Sequence, residues 1–209
     1  CMIDFAYSSG ADSIKFQAFV TESFVAPGSS FYETFKANQL SIADFRILRD
    51  YAASKSIEMF CTAADLDGLQ MIADLDLPII KIGSTNINHT RLLEAIAEIG
   101  KPVYLSTGAS YMSEVTAAVE VLTKKISDIS IFHCTVQYPA ELRNLNLSAI
   151  SSLKGAFPGV PIGYSDHTEG TLAALVAAGL GAQLFEKHFT TSKSLAGPDH
   201  HFSASPDQL

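Results

Sequence analysis

Short apolar runs of strand type alternate with longer stretches of helical period along almost the whole chain. The runs fall at 13–17, 58–62, 79–83, 103–107, 129–134, 160–164 and 182–186. Between them, apolar residues spaced at three and four predict helices over 41–53, 65–74, 90–99, 113–125, 147–156 and 170–178. Ser41, Thr90 and Ser113 are expected N-caps, and Gly100 an expected C-terminal stop. Pro78, Pro102 and Pro161 fall where strands begin, the positions at which a missing N–H does least harm. Repeated strand–helix units imply right-handed crossovers and a parallel sheet.

A closed (β/α)8 barrel has eight strands and usually about 250 residues. This chain has 209, opens in a helix-like segment over 1–9, and stops soon after its seventh strand. The expectation is an α/β fold class: one TIM-type (β/α)8 barrel domain over 1–209, truncated by its first strand and last helix. A doubly wound open sheet is the alternative. The first two strands are separated by about forty residues, and 19–38 carries Pro27-Gly28-Ser29-Ser30 and several aromatics. Connections of that length are often lids, so a loop over the site is expected there.

The strand faces change character toward their C-terminal ends. Lys15 and Gln17 close the first strand and Thr62 the second. Lys81 and Ser84 flank the end of the third, Ser106 ends the fourth, and His133 and Thr135 lie at the end of the fifth. Ser165 and His167 follow the sixth, Glu186 ends the seventh and His188 lies just past it. In a parallel barrel this end carries the active site. Buried lysine is costly unless an anion neutralises it, so Lys15 and Lys81 among hydroxyls describe a phosphate or phospho-carboxylate site. His167 and His188 stand just past two neighbouring strands, which lie about 5 Å apart. They are the expected ligands of one metal ion, with coordination positions left for water or substrate. Asp166 and Glu186 are expected to orient the rings, His133 to be an ordinary hydrogen-bonded core residue, and Asp199, in Gly197-Pro198-Asp199, to face substrate from a turn.

Composition narrows the class. With 47% hydrophobic and 17% charged residues the chain reads as packed and globular. A net charge of −8 argues against a general nucleic-acid partner. No apolar run reaches the ~20 residues of a membrane span, and the start lacks the pattern of a signal peptide, so the expected location is cytoplasmic. Cys1, Cys61 and Cys134 are too scattered for a disulfide framework or zinc site; Cys61 and Cys134 are expected as buried free thiols.

The ordered motifs Ala11-Asp12-Ser13-Ile14-Lys15-Phe16-Gln17, Lys81-Ile82-Gly83-Ser84, Leu105-Ser106-Thr107-Gly108, His133-Cys134-Thr135 with Tyr138-Pro139, Gly163-Tyr164-Ser165-Asp166-His167-Thr168, Glu186-Lys187-His188-Phe189-Thr190 and Gly197-Pro198-Asp199 are similar to those of the sialic acid synthases. That family comprises the N-acetylneuraminate, legionaminate and pseudaminate synthases. The resemblance implies condensation of phosphoenolpyruvate with an N-acetylmannosamine-type sugar, giving a nine-carbon 2-keto acid and phosphate. It implies that His167 and His188 hold a divalent ion, Mn2+ with Mg2+ or Co2+ as alternatives. By the same resemblance Lys15, Thr62, Lys81, Ser84, Ser106 and Ser165 bind phosphoenolpyruvate, and Gln17, Tyr138 and Asp199 lie near the sugar. Lys15, Lys81, His167 and His188 are the expected catalytic set, and a homodimer the expected assembly of the full-length parent.

The chain departs from the family pattern in lacking the Glu-x-Gly-x-Asn-His-x-Gly strand that opens its members, and the antifreeze-like domain that usually closes them. Asn86 stands where an acid is typical, Val136 replaces a polar residue seen in some members, and Ser29-Ser30 lie where an Asn often sits. These changes leave the acceptor sugar open, with a diacetamido-trideoxy hexose as the alternative. A ketodeoxy-octulosonate phosphate type of condensing enzyme, or a barrel that binds sugar or anion without turnover, are the further readings.

Overall fold

The computed structural model describes residues 2–209. Its centre is one sheet of seven parallel strands in sequential order: β1 (Ser13–Ala18), β2 (Glu58–Ala63), β3 (Ile80–Ile82), β4 (Val103–Ser106), β5 (Ile129–Cys134), β6 (Ile162–Asp166) and β7 (Leu184–Lys187). The helices are α1 (Met2–Ser8), α2 (Thr21–Phe24), α3 (Tyr32–Asn38), α4 (Ile42–Ser54), α5 (Leu66–Asp74), α6 (Thr90–Ile99), α7 (Met112–Leu122), α8 (Ala149–Ala156) and α9 (Leu172–Gly179). Sequential parallel order is the connectivity of a barrel and not of a doubly wound sheet, whose strand order reverses. The sheet curls until Lys15 on β1 reaches Glu186 on β7, Nζ to Oε1 3.0 Å, although the two strands are not paired. The fold is a partial α/β barrel with a gap between its edge strands.

Register decides which side chains face inward. Gln17 lies opposite Thr62, Thr62 opposite Lys81, Lys81 opposite Tyr104, Cys134 opposite Ser165, and Ser165 opposite Glu186. Residues two apart on a strand share a face. The concave face therefore carries Phe60, Tyr104 and Phe132 low down, with ring centroids 5.6 and 5.2 Å apart. Above these aromatics lies a polar layer. The convex face carries Ile14, Met59, Cys61, Ile80, Ile82, Leu105, Ile131 and Ile162, all buried with the apolar sides of the helices in one core.

Most boundaries match the periodicity, and the mismatches have physical causes. Ser41 caps α4 reciprocally with Asp44: its Oγ accepts from the Asp44 N–H at 3.2 Å, and Asp44 Oδ2 accepts from the Ser41 N–H at 2.9 Å. Thr90 is not a cap. The His89 ring takes that place, its Nδ1 accepting from Leu92 N–H at 3.0 Å. Ser113 lies inside α7, whose N-cap is Tyr111, with Glu114 reaching back to the Tyr111 N–H at 2.7 Å. Gly100 ends α6 in the left-handed region, φ 73°. The 19–38 stretch is not a plain loop. It folds into α2 and α3, pinned by a cluster of Phe19, Phe24 and Phe35 with centroids 5.2 to 5.9 Å apart. Gln39 Oε1 accepts from both Thr21 N–H and Thr21 Oγ1, at 2.8 and 2.7 Å.

Asp65 holds this connection to the barrel rim. One of its oxygens caps α5 through Gly68 N–H at 2.6 Å, and the other accepts from Val20 N–H at 3.0 Å. A Cβ at Gly68 would sit 2.1 Å from the Ala18 carbonyl oxygen. That oxygen is fixed by the Ala64 N–H at 3.1 Å, so neither side can give way. Gly68→Ala is expected to destabilise the fold by about 3 kcal/mol or more, read as a lowered urea midpoint. An unchanged midpoint would mean that α5 is free to shift.

Candidate functional site

The polar layer at the C-terminal ends of the strands gathers the charged groups. Lys81 is 1% exposed on the three-residue β3. Its ammonium donates to Ser106 Oγ in a short contact and to the Ile82 carbonyl at 3.2 Å, and it sits 5.3 Å over the Phe132 ring. Burial lowers its pKa, Glu186 pulls it back up, and the balance is about 8. Glu186 accepts from Ser165 Oγ at 3.0 Å and pairs with Lys15, while its Oε2 is buried without a partner. Burial pushes the Glu186 carboxyl up, but Lys15, Lys81 and the Ser165 hydroxyl outweigh it and hold it at about 2. With both lysines charged this layer carries one excess positive charge. An anion is the natural partner of such a site.

Above it stand the two imidazoles, with ring centroids 5.3 Å apart and planes at 75°. His167 is buried, and its Nδ1 lies 2.8 Å from the Thr135 carbonyl oxygen. A carbonyl only accepts, so Nδ1 carries the hydrogen and Nε2 keeps its lone pair. His188 turns Nδ1 toward Asp199 Oδ2 at 3.6 Å. Burial lowers the pKa of both rings. For His167 the Thr135 carbonyl opposes this; for His188 the nearby Lys15 and His167 reinforce it and bring the value to about 4. Both rings are therefore neutral at pH 7, the form in which histidine binds metal. Tyr138 covers the pair, its ring 4.1 Å from that of His167 and 5.9 Å from that of His188. Among the described residues no group of three or more His, Cys, Asp or Glu converges as a ready-made metal cage. Two neutral imidazoles with oriented rings fit an ion that takes its other ligands from water or substrate.

Other expected site residues surround this cluster. Thr62 is buried next to Lys81, with its hydroxyl unpartnered. Ser84 Oγ accepts from the Gly108 N–H at 2.9 Å. A Cβ on Gly108 would meet Val136 Cγ2 at 2.5 Å, so Val136 and Gly108 fit one another. Gln17 lies opposite Thr62 but is exposed at the open edge. His133 points to the convex side, its Nε2 donating to Leu145 O at 2.7 Å. Cys61 and Cys134 are buried and free; burial pushes the Cys61 thiol up to about 12. Cys1 lies outside the described residues. Two cavities, of about 480 and 600 Å³, lie off the cluster, one under the N-terminal strand ends near Tyr104 and Asp128, the other between β5, α7 and α8. The lysine–histidine cluster instead opens beside the gap between β1 and β7, and its geometry marks the candidate site.

Two sequence expectations need correction. Asp166 bonds to neither ring: alternation places it on the opposite face of β6 from His167, where it pairs with Lys187 at 2.8 Å. Glu186 shares a face with His188 but lies deeper, as the counter-ion of Lys15. The ring partners are the Thr135 carbonyl and Asp199. Asn86, whose role the sequence left open, is buried. Its amide donates to the Ala63 and Ala64 carbonyls at 3.2 and 2.9 Å, stapling the end of β2. Two carbonyl acceptors require a donor there, which explains why a carboxylate is not present at this position. The signal for the Thr135 contact was in the sequence, since a backbone carbonyl just past β5 adjoins the end of β6, but it names no side chain.

The chain is similar to known proteins over nearly its whole length. An uncharacterized protein of Methanocaldococcus jannaschii is 43% identical over 98% of this chain and 60% of its own length. The N,N'-diacetyllegionaminic acid synthase of Campylobacter jejuni is 36% identical over 100% of this chain and 67% of its own. The chain thus spans 60 to 67% of the length of these curated relatives. The crystal structure of N-acetylneuraminic acid synthetase from Leptospira borgpetersenii, in complex with citrate, superposes with a TM-score of 0.95 at 37% identity, covering 99% of this chain and 72% of that one. The NeuB family profile matches residues 2–209, and the chain belongs to the NeuB family.

Proposed function

We propose that the protein condenses phosphoenolpyruvate with an N-acetylmannosamine-type sugar, forming a nine-carbon 2-keto acid and releasing phosphate. One observation carries this reading: an anion-seeking layer of Lys15, Lys81 and hydroxyls lies directly beneath two neutral imidazoles with ring centroids 5.3 Å apart. Phosphoenolpyruvate would supply the anion, and Lys15, Thr62, Lys81, Ser84, Ser106 and Ser165 would hold its phosphate and carboxylate. His167 and His188 would hold a divalent ion, Mn2+ by family, which when bound polarises the aldehyde of the open-chain sugar. The methylene carbon of phosphoenolpyruvate adds to that aldehyde carbon, and water adds to the cationic carbon left behind. Lys15 and Lys81 neutralise the phosphate as it departs. Asp199 and Tyr138 border the imidazoles on the open side, and with Gln17 they would meet the sugar. Preorganising both substrates lowers the entropic part of the barrel's task.

A second acceptor, a diacetamido-trideoxy hexose, is favoured by the 36% identity, over the whole of this chain, to an N,N'-diacetyllegionaminic acid synthase. The whole protein is expected to release phosphate from phosphoenolpyruvate only when an acetamido sugar and a divalent ion are both present, with product masses naming the acceptor. A chelator should stop release and added Mn2+ restore it. Release without a sugar would sink the condensation, and release that ignores the chelator would sink the metal role.

A further inference from the structure

On the convex side of β6 and β7, behind the candidate site, lies a second buried charge pair. Asp166 is 2% exposed and the Lys187 side chain 10%. Asp166 Oδ2 accepts from Lys187 Nζ at 2.8 Å, and Oδ1 accepts from the Thr168 N–H at 2.9 Å and from Tyr164 Oη at 3.3 Å. Lys187 Nζ also donates to the Thr168 carbonyl. Every one of these bonds touches a residue adjoining one of the two histidines, or the strand leading to it. Asp166 and Thr168 bracket His167, while Lys187 immediately precedes His188.

We infer that Asp166 and Lys187 are positioning residues that set the spacing and orientation of His167 and His188. Stability alone does not require them, since a buried ion pair costs heavily in desolvation and apolar residues often replace it without loss. Their bonds close the backbone around His167 into a tight turn and clamp it to the residue before His188. Each ring is then steered from two sides: His167 by Thr135 and by the turn, His188 by Asp199 and by Lys187. Metal sites depend on such outer contacts, whose loss typically costs about 10- to 100-fold in affinity. The inference rests on the reading of the two histidines as metal ligands.

The test is a Mn2+ titration of the whole protein, followed by electron paramagnetic resonance of the free ion, beside its Asp166→Asn/Lys187→Met double variant. Binding of inorganic phosphate, circular dichroism and thermal unfolding serve as controls. The folded double variant is expected to bind Mn2+ about 10- to 100-fold more weakly with phosphate affinity kept within about twofold of native. Lys187→Arg, which restores the charge, is expected to recover most of the Mn2+ affinity. A purely structural pair would move the unfolding temperature and leave the Mn2+ affinity of the folded variant unchanged, which overturns the inference. Should the double variant fail to fold, Asp166→Asn alone keeps the bonds accepted at Oδ1 and is expected to show the same weakening; native affinity there also overturns it. A native protein that binds no Mn2+ at millimolar concentration overturns the metal reading first, and this inference with it.

Discussion

Lys81→Met is expected to weaken phosphoenolpyruvate binding by about 2 to 5 kcal/mol, roughly 30- to several-thousand-fold, while leaving the fold as stable as before or more so. The two effects have one cause. Lys81 is a wholly buried ammonium whose local partners are a hydroxyl and a carbonyl, since Glu186 is bonded to Lys15. Keeping that charge dry costs the protein free energy until an anion arrives. Removing it leaves Lys15 and Glu186 as a neutral pair, with no net charge to attract phosphate. Isothermal titration beside a urea melt separates the two outcomes. Loss of stability together with binding would make Lys81 a structural group.

The same residue fixes a pH signature. Its pKa in the fold is about 8, below the ~10.4 of an unfolded lysine. Between these values the unfolded chain binds a proton that the native chain lacks, so this group's contribution to stability rises with pH across that window. Below about 8 both states are charged and that contribution is absent. Affinity for the anion runs the other way, falling above pH 8 as the ammonium loses its proton. The stability difference between the native protein and Lys81→Met should therefore narrow from pH 8 to 10. A constant difference would show that Lys81 does not titrate there.

The strand–helix alternation was legible because most convex-face positions on the strands are apolar, and the helices repeat that preference at their own period. The end of β6 was read two residues early and that of β7 one. Ser165, Asp166 and Lys187 look like loop residues, yet all three belong to the ladder, where each has a charged or hydroxyl partner across it. Local pattern cannot supply those partners. Lys15 meets Glu186 only because the sheet curls far enough to bring its first and last strands together, a property of the whole barrel. The anion and histidine residues themselves were legible, since lysine, serine and histidine at successive strand ends stand out against an apolar background. The orienting groups were not, because one is a backbone carbonyl and another, Asp199, reaches in from a distant turn. The caps at His89 and Tyr111 escaped for a related reason: an imidazole nitrogen and a glutamate reaching back replaced the hydroxyls expected there.

His188→Ala is expected to lower Mn2+ affinity by more than about 100-fold, beyond the loss typical of an outer contact, and to abolish condensation with little change in folding. This ring is the better of the two to remove. It is partly exposed, its Asp199 contact is long at 3.6 Å, and its ring neighbours are His167, Phe202 and Tyr138. His167 is buried under Tyr138 and bonded to Thr135, so His167→Ala should also lose metal but adds a cavity, with a stability cost of about 1 to 3 kcal/mol. The ordering of the two variants is itself informative. If both histidines ligate one ion, the affinity losses should be similar while the stability losses differ. If the rings serve only to pack, the stability losses should follow burial and Mn2+ binding should not change. Phosphate affinity should survive in both variants, because Lys15 and Lys81 lie in the layer below and keep their own partners. Loss of phosphate binding along with the metal would mean that the anion layer and the imidazoles are a single coupled site, and not two stacked ones.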